Sequence, residues 1–388
     1  MKSRFALLLI AMLALIGALS ACTANGGAIY ATIETEKKID VSTLDQTITV
    51  LDLLNVGSGQ FPYLVAAGAV FKGTVPDVNN VIGWPNVGGS PIAVTPPVRG
   101  ALCLAMTSFN SGIYGGFFTS DGSTMGLYKS VGSPGFSFAV ADGATAVAAM
   151  AGKQITHLQV AGPILAPNLF AVVATPGTGT SGFTYELDYS ADGSSFTATN
   201  LTGLTTQITG VGYLPDNLTY YVTAGSVLYS GTALNSPLIS TSMGFTLANG
   251  EELRGVTVDG SYIFIPSSNG AVYYYNGTTW ARATTTDEVN GRLVGFLTVS
   301  THVDTAGSGV IYLVGADGLG FYTLNVTNNI LTKFSDVTVT GLYAGAVRRM
   351  LVDQTQNNTV FMGTAGTGLW RATFDPATGA VNSTWIHE

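Results

Sequence analysis

The amino-acid sequence predicts an all-β protein built from repeated units, and three observations lead to this prediction. Glycine is abundant, with 49 of 388 residues, whereas only 10% of the residues are charged. Alternating apolar and β-branched runs, broken by Gly, Asn-Gly and Asp-Gly turns, recur after residue 24. The order strand, glycine turn, aromatic strand returns about every 50 residues, which is typical of a repeat fold.

Each repeat places an aromatic residue in the strand that follows the glycine turn. Residues 309–324 and 358–372 show the pattern most clearly. The aromatic residues of the seven units are Phe71, Tyr128, Tyr189, Tyr229, Tyr274, Tyr322 and Trp370. They are spread over 299 residues, so the mean step between them is about 50 residues.

Further strands complete each unit. An apolar run precedes every pair of strands, at 47–53, 101–107, 155–160, 208–214, 253–258, 293–299 and 347–353, and a short fourth run follows most pairs. Four strands per unit at this period are typical of a β-propeller blade, so seven units predict a seven-bladed β-propeller. A ring of blades buries both faces of each sheet and leaves no long open edge. Six or eight blades are the alternatives if 75–100 or 130–155 is assigned wrongly.

The N-terminus has the features of an export signal. A basic start with Lys2 and Arg4 precedes an apolar segment of 15 residues, at 5–19. This segment is too short for a membrane-spanning helix, and small residues follow it. Residues 1–21 are therefore predicted to be a signal peptide that is removed from the mature chain.

The end of this signal, Leu19-Ser20-Ala21-Cys22, resembles the lipobox of bacterial lipoproteins. The resemblance implies that Cys22 is diacylated, becomes the first residue of the mature chain, and holds the protein on a membrane surface without spanning it. An ordinary secretory signal followed by an unrelated cysteine is the alternative. Thr23 stands where an Asp would retain an enteric-type lipoprotein at the inner membrane, so the outer membrane or the cell surface is favoured.

Three segments are predicted along the chain: the signal peptide 1–21, a lipidated tether 22–45 and the propeller 46–388. Residues 28–34 of the tether have a strand-like pattern. They either add an outer strand that closes the ring or remain a solvated tether, and the sequence leaves both interpretations open. No second apolar run reaches the length of about 18 residues that a spanning helix needs.

One turn carries a motif of a known family. Residues 189–196, Tyr-Ser-Ala-Asp-Gly-Ser-Ser-Phe, resemble the Asp-box of sialidase-type and sortilin-type propellers, and residues 126–138 and 368–371 match the same blade position. In that family the Asp and the Gly shape the turn between the third and fourth strands, so the resemblance implies a structural role. As a whole, the chain resembles the propeller lipoproteins of bacterial envelopes.

Composition and spacing disfavour several function classes. The net charge of -8 argues against a nucleic-acid partner. The three histidines, His157, His302 and His387, fall in different blades, so no metal or other cofactor is expected. Cys103 lies in an apolar strand and is interpreted as a small buried side chain. The arginine context of sialidases and the Gly-x-Ser-x-Gly elbow of hydrolases are absent, so the sequence favours a protein that is not an enzyme.

Six cations fall at or just before the first strand of a blade: Arg99, Lys153, Arg254, Arg292, Arg348 and Arg349. The first strand of a blade lines the central channel, so these side chains are predicted to form a cationic ring at the channel mouth. Such a ring would bind an anionic partner, because Arg forms bidentate bonds with carboxylates and phosphates. The alternative is that each cation pairs with an acid on the neighbouring blade or is solvated at the rim, and Asp52, Asp259 and Asp353 lie near the same strands.

The sequence thus predicts a lipid-anchored, non-catalytic binding or scaffold propeller of the bacterial cell envelope. Its partner would be a protein or an anionic glycan, bound through one face of the ring. Trp84, between Gly83 and Pro85, is the candidate for an exposed residue that stacks on a sugar. Two other functions stay open: a structural protein packed into an envelope array, and a hydrolase or lyase that acts on glycans.

Overall fold

Seven antiparallel sheets follow one another along the chain in the computed structural model and form a seven-bladed β-propeller. The structure describes residues 46–56, 59–73, 86–87, 90–91, 93–110, 112–131, 137–177, 182–289, 291–304, 311–334, 346–353, 358–375 and 385–387. The sheets lie in the unit formed by Thr43–Val87 and Pro91–Glu388. The blade count confirms the prediction of seven rather than six or eight. The signal peptide, Cys22, residues 28–34 and Trp84 lie outside the described residues.

The strands of the first three blades are as follows. Blade 1 contains β1 (Ile48–Val56), β2 (Gly59–Ala66) and β3 (Ala69–Lys72), and a separate short pair, β4 (Asn86–Val87) and β5 (Ser90–Pro91), comes next. Blade 2 contains β6 (Leu102–Phe109), β7 (Gly112–Phe118), β8 (Met125–Lys129) and β9 (Thr145–Ala146). Blade 3 contains β10 (Gln154–Ala161), β11 (Asn168–Pro176), β12 (Phe183–Ser190) and β13 (Thr197–Ala198).

Four more blades complete the ring. Blade 4 contains β14 (Ile208–Leu214), β15 (Thr219–Ala224), β16 (Val227–Gly231) and β17 (Ile239–Ser240). Blade 5 contains β18 (Thr257–Asp259), β19 (Tyr262–Pro266), β20 (Ala271–Tyr275) and β21 (Trp280–Thr284), and a short pair, β22 (Glu288–Val289) and β23 (Arg292–Leu293), follows it. Blade 6 contains β24 (Phe296–Asp304), β25 (Ile311–Ala316), β26 (Phe321–Asn325) and β27 (Ile330–Lys333). Blade 7 contains β28 (Val347–Asp353), β29 (Thr359–Thr364), β30 (Leu369–Thr373) and β31 (Ile386–His387). In the described part of the chain, short 3-10 helices span Val140–Asp142, Ala148–Met150 and Pro215–Asn217.

The repeated aromatic residue occupies the third strand in every blade, as the repeat predicts. These residues are Phe71 in β3, Tyr128 in β8, Tyr189 in β12, Tyr229 in β16, Tyr274 in β20, Tyr322 in β26 and Trp370 in β30. The glycine turn before the third strand sets its register. In blade 1, Ala67 and Gly68 have φ values of +50° and +79°, which places both in the left-handed region of a two-residue hairpin turn.

The core lies between the blades rather than within any one of them. Among the described residues, buried apolar side chains form seven clusters, and each cluster is shared by two neighbouring blades. Between blades 5 and 6, for example, the rings of Phe264 and Tyr312 lie 4.2 Å apart, and Tyr274, the cross-strand neighbour of Phe264, belongs to the same cluster. Both faces of a blade are thus buried, which explains why the second strands have almost continuous apolar sequences.

The ring closes where blade 7 packs on blade 1. Strand β28 contacts β1, and Ile48 and Leu51 share a cluster with Phe361 and Leu369. Arg349 adds a polar contact across this junction, because its Nε donates a hydrogen bond of 2.8 Å to the carbonyl oxygen of Thr49. In the described residues, the fourth strand of blade 7 is β31, which comes from the C-terminal end of the chain.

The turn after β12 is held by a single carboxylate. Oδ1 of Asp192 accepts bonds of 2.8 Å from the backbone N–H groups of Ser194 and Ser195, and a bond of 2.9 Å from the Ser190 hydroxyl. These bonds hold the pKa of Asp192 below its usual range. Gly193 has φ of +77°, and a Cβ at this position would collide with the Tyr114 ring of blade 2. The turn therefore needs glycine both for its conformation and for its packing on blade 2.

Candidate functional site

The first strands of the blades surround a central channel, because each of them packs against the first strands of its neighbours. Near the end where these strands begin lies a cavity of about 440 Å³, which blades 3 to 7 line. We call it the mouth cavity. Its charged residues are Glu252, Arg254, Arg348 and Arg349, and His157 also lines it. Three arginines against one glutamate make this a cationic site in a chain whose net charge is -8.

Arg349 is partly buried in this cavity and has no carboxylate within 4.0 Å among the described residues. Its Nε bonds the carbonyl of Thr49, and its Nη1 donates a bond of 3.0 Å to the carbonyl of Arg348. Burial, and then the charge of the exposed Arg348, lower the pKa of Arg349. A partly buried guanidinium without a counter-charge is costly, so an anion placed beside it would gain a strong interaction.

Arg254 differs from Arg349 because it has an acidic partner. Its Nη1 lies 3.1 Å from Oδ2 of Asp317 in blade 6, and both side chains are partly exposed. An exposed ion pair of this kind contributes only about 0–1 kcal/mol, so a stronger anion could compete for Arg254. Arg254 also lines a second cavity of about 770 Å³ between blades 5 and 6, together with Glu288 and the exposed Arg292.

Lys153 is neutralised within its own blade. Its Nζ lies 2.9 Å from Oδ2 of Asp188 and 3.2 Å from Oε1 of Glu186, and both acids belong to β12. Asp188 is buried, and burial raises the pKa of its carboxyl group. Its Oδ1 has no hydrogen-bond partner in the described part of the chain. Arg99 is exposed and does not line the mouth cavity.

The structure therefore brings together three of the six predicted cations. Arg254, Arg348 and Arg349 meet at the mouth cavity, whereas Arg99, Lys153 and Arg292 do not line it. Lys153 and Arg254 form ion pairs with acids, as the alternative to a cationic ring predicts. The predicted ring is thus concentrated on blades 5 and 7.

A polar network that sequence reasoning missed connects three blades inside the channel. His157 and Gln159 lie on the same face of β10, and His157 Nε2 is 3.1 Å from Gln159 Oε1. This oxygen also accepts a bond of 2.9 Å from the N–H of Val211, and Gln159 Nε2 donates a bond of 3.2 Å to the carbonyl of Val256. Burial, and then the charge of Arg349, lower the pKa of His157 to about 4. The signal in the sequence is two polar residues at alternate positions of a first strand, where the channel lies.

The rest of the channel has a different character. A cavity of about 600 Å³ is lined mainly by small and apolar residues of the first strands, and Asp52 also lines it. The hydroxyl of Tyr63 donates a bond of 3.1 Å to Oδ2 of Asp52, and burial raises the pKa of Tyr63 above its usual value. Asp52 does not line the mouth cavity, but it lines a smaller cavity of about 200 Å³ together with Arg349.

Other candidate chemistry is weak in the described residues. Cys103 is buried, as predicted, and burial raises the pKa of its thiol to about 12. No three His, Cys, Asp or Glu residues of the described ranges come together as metal ligands would. Within those ranges, every helix is too short or too polar to cross a membrane.

Comparison with known proteins supports the fold only. Searches of protein-family models and of curated proteins found no match. The extracellular domain of BT4673 from B. thetaiotaomicron is 11% identical with a TM-score of 0.51, over 85% of this chain and 39% of that one. An ancestral GH74 enzyme is 15% identical with a TM-score of 0.55, over 88% and 46%. YCF48 bound to D1 peptide is 9% identical with a TM-score of 0.52, over 85% and 93%. The chain spans less than half the length of the first two.

Proposed function

We propose that this protein is a non-catalytic binding propeller that recognises an anionic partner at the mouth cavity. The observation that carries the proposal is Arg349, a partly buried guanidinium without an acidic partner among the described residues. A carboxylate that enters the cavity would supply the missing counter-charge and could be bound in a bidentate manner. Arg348 and Arg254 stand beside it and would add to the attraction.

The partner that we favour is a peptide segment with carboxylate groups, and an acidic glycan is the alternative. A cavity of about 440 Å³ accommodates a few side chains or a chain end rather than a folded surface. YCF48, which shares the fold, is described as bound to a peptide. The overall negative charge of this chain would repel acidic partners elsewhere, so the arginines would direct them to the mouth.

Binding without turnover is supported by the chemistry of the mouth. Glycoside hydrolysis typically uses two carboxyl groups on opposite sides of the scissile bond. Among the described residues, Glu252 is the one carboxylate that lines the mouth cavity, and it is exposed. The likeness to a GH74 enzyme concerns the fold and does not supply these groups.

The binding test compares wild type with the double variant Arg348→Gln/Arg349→Gln. A fluorescent hexa-glutamate peptide and an oligogalacturonate serve as probes, and anisotropy is measured at low and at high salt. Loss of charge-assisted bonds worth about 1.5–3 kcal/mol each predicts at least about tenfold weaker binding. Arg348→Gln alone keeps the backbone bonds of Arg349 and guards against misfolding, and Arg99→Gln is the charge-matched control. Equal affinity in all four proteins would contradict the proposal.

We further propose that Cys22 carries a lipid and that the protein is attached to a membrane of the bacterial cell envelope. The support is the order of basic start, apolar segment and lipobox-like residues at the N-terminus. The test is metabolic labelling with an alkyne-tagged palmitate in a bacterial host, followed by fractionation. Wild type should be labelled and sediment with membranes, whereas Cys22→Ser should lose both properties. Labelling that persists in Cys22→Ser would refute the assignment.

A further inference from the structure

His157 and Arg349 occupy a distinctive place in the channel. Both line the mouth cavity of about 440 Å³, and both also line an inner cavity of about 200 Å³ between blades 1, 2 and 3. They come from different blades, since His157 lies on β10 and Arg349 on β28. Thr156 and Gln159 also line both cavities. The His157 and Arg349 side chains therefore lie at the boundary between the mouth cavity and the inner cavity, which we call the floor of the mouth.

The hydrogen bonds of Gln159 fix the tautomer of His157. The N–H of Val211 can only donate, so the Gln159 atom that it meets at 2.9 Å must be the amide oxygen. The carbonyl of Val256 can only accept, so its partner at 3.2 Å must be the amide nitrogen. His157 Nε2 faces the same oxygen at 3.1 Å and must therefore carry the hydrogen. The lone pair of the neutral ring is consequently on Nδ1.

We propose that His157 and Arg349 form an anion subsite at the floor of the mouth, which binds one carboxylate or a similar small anion and, at mildly acidic pH, takes up a proton on Nδ1 of His157 as it does so. The inference rests on the proposed function and names the residues and the protonation state by which the mouth recognises its partner. No bond of the ligand breaks. The proton comes from solvent and is returned to solvent when the anion leaves.

The charges around His157 explain why the proton is absent until an anion binds. Arg349 faces the ring from β28, and the mouth beyond it holds Arg348, Arg254 and the exposed Glu252. In the anion-free protein, burial and Arg349 keep the pKa of His157 at about 4, so the ring is neutral at pH 7. An anion in contact with both groups removes the repulsion between two cations and favours the protonated ring.

The same arrangement limits how far the anion can enter. Asp52 lines the inner cavity, on the other side of the floor, and accepts a bond from the hydroxyl of Tyr63. Its carboxylate would repel an anion that passed His157 and Arg349. The subsite therefore suits the terminal group of a ligand, such as a side-chain carboxylate or a chain end, and not a polyanion threaded through the ring.

The test follows the imidazole of His157 by NMR in the full chain, which contains three histidines. His157→Gln identifies the resonance, and His387, which stacks on Trp370 in blade 7, serves as an internal reference. Sodium sulfate is the first probe because its charge stays constant across the titration, and the hexa-glutamate peptide is the second. An opposite charge within hydrogen-bonding range typically raises a pKa by about 1–3 units, so saturating sulfate should raise the pKa of His157 by this amount.

Because protonation of His157 and anion binding favour each other, the affinity for sulfate should depend on pH. With a pKa of about 4 in the free protein, the affinity for sulfate should increase roughly 2- to 50-fold from pH 7 to pH 5. His157→Gln should abolish this pH dependence, because its amide is uncharged at both pH values, and it should weaken binding more at pH 5 than at pH 7. Arg349→Gln should weaken binding at every pH, whereas Arg99→Gln should leave the whole profile unchanged.

Two outcomes would overturn the subsite, and they are distinguishable. If sulfate or the peptide binds in an Arg349-dependent manner but leaves the titration of His157 unchanged, the subsite is wrong and the proposed binding function stands. If neither probe binds, both the subsite and the proposed function fail. Because the pKa measurement is made on the wild-type protein, a variant that fails to fold does not prevent the decision.

Discussion

Replacing Gly210 with alanine is expected to destabilise the ring by forcing apart the first strands of blades 4 and 5. A methyl group on Gly210 would lie 2.7 Å from the Cα and carbonyl carbon of Gly255, and closer still to the backbone nitrogen of Val256. Carbon atoms in ordinary contact are about 3.5–4.0 Å apart, so the strands must separate by about 1 Å. The obstructing atoms belong to the backbone, and no change of rotamer can relieve the contact.

The expected magnitude follows from these contacts. Overpacking of this kind costs about 1–3 kcal/mol. Separation would also break two bonds of Thr209, whose Oγ1 donates to the carbonyl of Leu253 at 3.0 Å and accepts from the N–H of Gly255 at 3.1 Å. At about 0.5–1.5 kcal/mol for each bond, the free energy of unfolding should fall by about 2–6 kcal/mol in total. With an entropy of unfolding of about 2.1 cal/mol/K per residue over 343 residues (46–388), Tm should fall by about 3–8 °C.

Thermal unfolding followed by circular dichroism measures this effect, and Gly182→Ala is the matched control. Gly182 is exposed, lacks a left-handed φ, and has open space where its Cβ would stand. Its substitution should therefore change stability by less than about 0.5 kcal/mol. If Gly210→Ala melts within 1 °C of Gly182→Ala, the close packing of the first strands is not what holds blades 4 and 5 together.

Further predictions concern ring closure, pH and the buried thiol. Ile48→Ala should lower the free energy of unfolding by about 2–5 kcal/mol in urea titrations, because Ile48 is fully buried between blades 7 and 1, whereas the 64% exposed Ile239 should tolerate alanine with little loss. The pKa of His157 is lower in the folded protein (about 4) than its usual 6.5, so the unfolded chain takes up the proton first. The contribution of His157 to the free energy of unfolding should be fully present above pH 6.5 and be lost as the pH falls from 6.5 through 4. At 1.36 kcal/mol per pKa unit, the loss is at most about 3 kcal/mol. His157→Gln should remove this part of the pH dependence of stability. In a Cys22→Ser background, Cys103 should react with a thiol reagent only as fast as the protein unfolds, and rapid labelling of the native protein would contradict its burial.

The blades could be predicted from the sequence because each one is specified locally. A strand alternates its side chains, a glycine permits the tight turn before the third strand, and an aromatic residue anchors that strand. The aromatic positions from Phe71 to Trp370 therefore fell in the third strands of all seven sheets. The short pair β22 and β23 was not predicted, since two-residue strands leave almost no pattern.

The cationic mouth could be predicted only in part. Placing the six cations at the starts of first strands followed from the repeat, and three of them do line one cavity. Which of them are neutralised depends on acids far away in the chain, such as Asp317 for Arg254, 63 residues later. The pairing of Lys153 with Asp188 and Glu186 likewise depends on the sheet, which brings β12 close to the residue before β10.

By itself, the sequence determined the all-β class, the repeat, the number of blades and the position of the anchors, because these depend on neighbours within about 50 residues. Only the tertiary structure decided which polar groups share the channel. His157, Gln159 and Arg349 meet there because ring closure brings the first strands of blades 3 and 7 to one axis. Charges and hydrogen bonds act through space, and a linear pattern carries no information on distances across the ring.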